Sequence, residues 1–156
     1  MSDPTIVLLP PLPAQSWSWR EVAAELAAYH HRFALIPPMP AEATNGELDL
    51  AGAWVAHCAL QITREAVVPP LLLVAQGGSG QLLAALGFAQ RASRRRVVGY
   101  VLVDADLPKP GVPDWPDAPV TYVGSRQASL AELRGWEVMA GDDLGADLRR
   151  VAALSV

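Results

Sequence analysis

Cysteine and histidine are scarce in this chain, with one cysteine and three histidines among 156 residues. The lone Cys58 excludes an internal disulfide. Its apolar company, Trp54, Val55, Ala59 and Ile62, makes it a small core residue. His57 adjoins it in sequence but points elsewhere on a helix, so the pair is no nucleophile and base. No grouping of His, Cys, Asp and Glu has metal-ligand spacing, and no metal or other cofactor is expected. Long apolar runs are missing too: none approaches the ~20 residues of a membrane span. The first residues lack a basic stretch, and Pro10, Pro11 and Pro13 interrupt the apolar run, so no signal peptide is read there and the expected setting is cytoplasmic. Excess positive charge is also absent. Twelve basic against sixteen acidic residues leave a net charge of −4, which offers no footprint for nucleic acid or an anionic membrane. The one basic run, Arg91 to Arg96, suits the end of a helix.

What is present is apolar and periodic. Hydrophobic residues make up 51% of the chain and charged ones 18%, as in a well-buried globule, and 1–156 reads as one domain. Thr5 to Leu9 is an apolar run closed by prolines, a buried strand. Trp19, Val22, Ala23, Leu26 and Ala27 then recur at helical spacing, with Ser16 or Ser18 to cap them. Phe33 to Ile36 is a second strand, stopped by Pro37 and Pro38. A loop over 39–47 precedes a long helix from Leu48 to about Ala66, with Leu50, Ala53, Trp54, Cys58 and Ile62 as its buried side. Leu71 to Ala75, Val97 to Val103, Val120 to Val123 and Trp136 to Met139 supply four more strands. Helices are expected over 78–92 and 129–133. A last helix, capped by Asp142 or Asp143, carries Leu148, Val151, Ala152 and Leu154. This alternation predicts an α/β fold: a doubly wound, mostly parallel six-stranded sheet with helices on both faces. Ligands of such sheets bind beyond the carboxyl ends of the strands, where strand order reverses. Pro10 to Ala14 and Gln76 to Gly80 are the natural rims.

The most telling segment is Leu72-Leu73-Val74-Ala75-Gln76-Gly77-Gly78-Ser79-Gly80. A strand feeds a sharp glycine turn and then a helix, an arrangement that presents one exposed side chain in a strained pose. Here the presenting position is Gly77, which has nothing to present. Ser79 lies two residues on, in the first helical turn, where it serves as a nucleophile or as a cap.

The chain resembles the α/β-hydrolase superfamily along nearly its full length. The resemblance rests on Ile6-Val7-Leu8-Leu9-Pro10-Pro11 with Ser16-Trp17-Ser18-Trp19, on the glycine turn, on Val101-Leu102-Val103-Asp104, on Pro119 to Gly124 and on Met139-Ala140-Gly141-Asp142. It implies the sheet order 2-1-3-4-5-6 and a core without the family's N-terminal hairpin or inserted cap. The departures carry more weight. The family's Gly-x-Ser-x-Gly aligns here with Ala75-Gln76-Gly77-Gly78-Ser79. The fifth strand is followed by Gly124-Ser125-Arg126-Gln127, with no carboxylate; Asp104 stands at an alternative acid position, or caps the turn before Pro108. No histidine follows the last strand, and His30, His31 and His57 all come from the wrong places to act as base. Pro10-Pro11 replaces the usual His-Gly, and proline supplies no N–H, although the Leu12 and Gly78 amides can still converge on a carbonyl or carboxylate.

Two rival motifs are weaker. Ala75-x-Gly77-x-x-Gly80 resembles a dinucleotide fingerprint with its first glycine replaced, but two strand-helix units precede it. No lysine follows these glycines, which excludes a P-loop. Asp142, Asp143 and Asp147 read better as a helix cap and first-turn acid than as a cation site. Trp17 and Trp115 either line an apolar mouth with Pro11, Leu12, Gln76, Gly77 and Gly78, or cover sheet edges or a partner surface. The expected function is therefore that of a hydrolase-like protein without a triad. It would bind a small apolar molecule or a partner protein, with a cyclase- or isomerase-type role open and Asp104 or Asp106 as nearby acid-base groups. The alternatives are a serine hydrolase using Ser79, with Asp104 as a further catalytic candidate, and a non-catalytic module that dimerises through its uncovered apolar surface. The wealth of Ala, Arg, Pro and Val points to a high-GC bacterial source.

Overall fold

The computed structural model describes residues 3–13, 15–40, 50–107 and 118–155. Six strands form one sheet: β1 (Thr5–Leu8), β2 (Phe33–Leu35), β3 (Leu71–Gln76), β4 (Val97–Val103), β5 (Val120–Val123) and β6 (Glu137–Met139). Every neighbouring pair is parallel and the order is β2-β1-β3-β4-β5-β6, the order that the resemblance implies. Among the described residues, α1 (Arg20–Ala28) follows β1, α2 (Leu50–Arg64) follows β2, α3 (Leu83–Ala92) follows β3, α4 (Ala128–Leu133) follows β5 and α5 (Leu144–Leu154) follows β6.

Side chains alternate across the sheet because successive residues of a strand face opposite ways. On one face Val7, Leu9, Leu71, Leu73 and Ala75 pack with Trp54, Cys58 and Ile62 of α2, Leu83 and Leu86 of α3 and Ala131 of α4. On the other, Ile6, Leu8, Leu72 and Val74 pack with Leu26 of α1 and Leu148, Val151 and Ala152 of α5. Helices thus cover both faces, which is why β3 reads as an unbroken apolar run in the sequence.

Two indoles fix the exit from β1. Trp19 donates its Nε1–H to the Leu9 carbonyl at 2.7 Å, and Trp54 donates to the Pro10 carbonyl at 3.2 Å. The first comes from the α1 side of the sheet and the second from α2. His57 Nε2 donates to the Pro37 carbonyl at 2.8 Å, which ties α2 to the segment after β2.

Some local expectations differ from what is found. The segment after β3 opens as a 3-10 turn over Gly77–Leu82, and α-helix begins only at Leu83. Glycines at 77, 78 and 80 disfavour an α turn, and the Ser79 hydroxyl donates to the Gln76 carbonyl at 2.8 Å, three residues back. Leu154 is 76% exposed, on the last turn of α5, where it makes no core contact. Leu50 and Ala53 are only half-buried, leaving Trp54, Cys58 and Ile62 as the inward stripe of α2. β6 begins at Glu137 rather than Trp136. Asp143, not Asp142, caps α5, accepting from the Ala146 amide at 3.2 Å. At α1 the Ser18 hydroxyl accepts from the Arg20 amide at 3.1 Å. The predicted loop over 39–47 and helix start at Leu48 lie largely outside the described residues.

Gly87 lets α3 lie close on β4: a Cβ there would run into the buried Tyr100 ring and hydroxyl. Gly87→Ala is expected to cost about 1–3 kcal/mol through overpacking, read as a lower denaturant midpoint. Burial pushes the Cys58 thiol far above its usual range. Native protein is therefore expected to resist alkylation near neutral pH, and denatured protein to react at once. Because the folded thiol holds its proton more tightly than the unfolded one, stability should also fall as pH rises past about 8.5.

Candidate functional site

The carboxyl ends of β1, β3, β4 and β5 bring three loops together around the turn at Gly77. Gly77 sits at φ +63°, a left-handed conformation that strains any residue with a Cβ. The strand enters through Gln76 in extended geometry, and the chain then folds directly into the 3-10 turn. The backbone is clamped on both sides. The Gly77 carbonyl accepts from the Asp106 amide at 3.0 Å. The Gly78 amide donates to the Gln15 Oε1 at 3.1 Å.

Gln15 is therefore a site residue that no pattern in the sequence marks. Its carboxamide lies over the glycine turn: a Cβ built on Gly77 would stand 3.1 Å from Gln15 Oε1, and one on Gly78 would stand 2.9 Å from Nε2 and 3.2 Å from Leu12 Cδ1. Leu12 enters through its side chain and through its carbonyl, which accepts from the Gln15 amide at 2.9 Å. The chain's own carboxamide oxygen thus occupies the amide that follows the turn, the donor expected to meet a ligand carbonyl.

Ser79 is wholly buried, and its hydroxyl is given to the Gln76 carbonyl. None of the three histidines is a hydrogen-bond partner of it: His57 is engaged at Pro37, and His31 Nδ1 lies 3.1 Å from the Arg32 carbonyl. Asp104, at φ +41°, directs Oδ1 at the amides of Ser125 and Arg126, at 3.1 and 3.2 Å. It caps the turn after β5, and Pro108 lies outside the described residues. Gly124 is needed there, since a Cβ would collide with the Asp104 carboxylate. Asp106 pairs with Arg126 at 3.0 Å. Tyr122 accepts from the Gln127 amide at 2.9 Å, and burial raises its phenol above the usual value.

Trp17 and Pro11 border an apolar groove with Pro10, Trp19 and the segment after β2. Trp115 lies outside the described residues. Among those residues no cluster of His, Cys, Asp and Glu could hold a metal, and no helix is long and apolar enough to cross a membrane. Compared with protein-family models and with curated protein sequences, the chain matches none.

Gly80 joins the turn to the loop after β4. A Cβ there would stand 2.5 Å from Ala105 Cβ and 2.9 Å from the Asp106 carbonyl oxygen. Gly80→Ala is expected to push that loop off the turn and cost about 1–3 kcal/mol. Hydrogen exchange at the Asp106 amide, which bonds Gly77, should quicken more than exchange in β1.

Proposed function

We propose that this chain is an α/β-hydrolase-like protein that works without a serine triad and holds a small, largely apolar molecule at the mouth above Gly77. The contact between Gln15 and Gly78 carries the reading. A carboxamide oxygen of the chain itself rests on the amide that a ligand's carbonyl or carboxylate would take, over a glycine that projects no nucleophile. A ligand that displaces Gln15 inherits that amide and the room beside it.

The neighbouring acids favour binding over proton transfer. Asp104 is spent on two amides and Asp106 on Arg126. Any turnover would rest on shape and exclusion of water, as in a cyclisation or isomerisation. Hydrolysis through Ser79 would require its hydroxyl to leave Gln76, reach the surface and find a base.

A fluorophosphonate probe is expected to leave native protein unlabelled; labelling at Ser79 overturns the reading. Gly77→Ser should give no turnover of p-nitrophenyl esters, because no imidazole is at hand. It should also cost about 1–2 kcal/mol for a side chain at positive φ. Native mass spectrometry of protein purified from its source is expected to show a retained small molecule that is lost on denaturation.

A further inference from the structure

Net charge counts the whole chain, but the arginines are not spread evenly over it. Between Glu65 and Asp104 there is no acidic residue, and Arg91, Arg94, Arg95 and Arg96 all fall in that interval. The fold sets them at the amino ends of the strands. The Arg94 amide donates to the Arg91 carbonyl and the Arg95 amide to that of Gln90, both at 2.9 Å, which closes the end of α3. The Arg96 carbonyl then accepts from the Leu71 amide at 2.9 Å, at the start of β3. Because β3 runs from Leu71 to Gln76, the arginines and Gly77 stand at opposite ends of one strand, roughly 20 Å apart.

Arg94 and Arg96 are exposed, and Arg94, Arg95 and Arg96 form no ion pair among the described residues. The described acids that β1 and α2 bring toward this end are Asp3 and Glu65, and Glu65 follows Arg64. Glu132 and Glu137 stand with Arg134 at β6, two strands from β4. Around the start of β3 and β4, two carboxylates thus meet five guanidinium groups, an excess that selects an anionic partner.

Uncovered apolar side chains share this end. Val68, just ahead of β3, is 53% exposed. The likewise exposed Leu154 precedes Ser155, whose Oγ lies 3.7 Å from where a Cβ on Gly99 would stand, near the start of β4. Phe88 is exposed on α3, one turn before Arg91. The groove between α2 and α3 and the cavity at the start of β2 are both lined by other residues, so neither offers a peptide a trough beside the arginines. Val68 and Leu154 are aliphatic and give bases no stacking face. Arginines beside exposed apolar side chains match a headgroup layer over acyl chains.

We propose that this end of the protein docks on an anionic lipid surface, with the arginines on the headgroups, Val68 and Leu154 at the acyl boundary and the mouth at Gly77 facing away from the bilayer. The docking does not depend on what that mouth holds.

Sedimentation of the full chain with vesicles tests it. Vesicles of phosphatidylcholine with about one third phosphatidylglycerol are expected to carry the protein down in about 10 mM salt and far less of it in about 150 mM. Vesicles of phosphatidylcholine alone should leave it in solution. Arg94→Gly combined with Arg96→Gln is expected to weaken binding about 25-fold, about fivefold for each charge removed near the surface. Arg94 stands at φ +60°, where glycine is preferred, and Arg96 is exposed, so the denaturant midpoint of this variant should not fall. Leu154→Ser should weaken binding at both salt concentrations. Equal sedimentation with the two kinds of vesicle, none with the anionic vesicles at low salt, or full binding by the double arginine variant overturns the proposal. Tighter binding to a single-stranded oligonucleotide or to polyglutamate than to the anionic vesicles also overturns it, and assigns this end to nucleic acid or to an acidic protein. Labelling of Ser79 by a fluorophosphonate would sink the function proposed above and leave this result untouched.

Discussion

The left-handed turn at Gly77 is the constraint on which the rest of this site depends. A glycine takes φ +63° without strain, so the direction of the bend is left to the groups that hold it. Here the loops after β4 and β1 grip it from two sides, through Asp106 to the Gly77 carbonyl and Gln15 to the Gly78 amide. Gly80 then lets the following turn press against Ala105. Neither loop would have this course if the turn relaxed. The sharp bend is thus less a pedestal for one side chain than a junction where three strand ends meet.

The same junction explains how the polar groups are used. Asp104, Asp106, Tyr122 and Gln127 stitch the ends of β4 and β5 together, and each has a partner within the network. Ser79 is turned inward to its own backbone. What remains open toward a ligand is shape, one amide under a displaceable carboxamide, and the apolar groove beside β2. That inventory suits recognition of a molecule better than cleavage of one.

Much of the sheet was legible in the sequence because burial imposes the period. The β3, β4 and β5 runs lie between two helical layers, so nearly every residue in them is apolar, and their bounds follow to within a residue. The 3-10 opening after Gly77 has no helical period to announce it, since three glycines and the bond from the Ser79 hydroxyl to the Gln76 carbonyl shape it. Gln15 is silent in the sequence for a different reason. A lone glutamine in a proline-rich loop carries no local signal, and its importance comes from where two β-tips converge. Trp17 and Pro11 border a groove with Pro10, Trp19 and the segment after β2, a neighbourhood that no local pattern announces.

The indoles at the exit of β1 tie two parts of the sequence that have no contact in composition. Prolines at 10 and 11 remove donors from the strand end, but the carbonyls of Leu9 and Pro10 remain, and Trp19 and Trp54 answer them from opposite layers. Each aromatic is bound to its site by a proton as well as by its bulk. A phenylalanine in place of either indole would fill much of the same space yet strand a buried carbonyl at the bend, so the two tryptophans and the prolines form one unit.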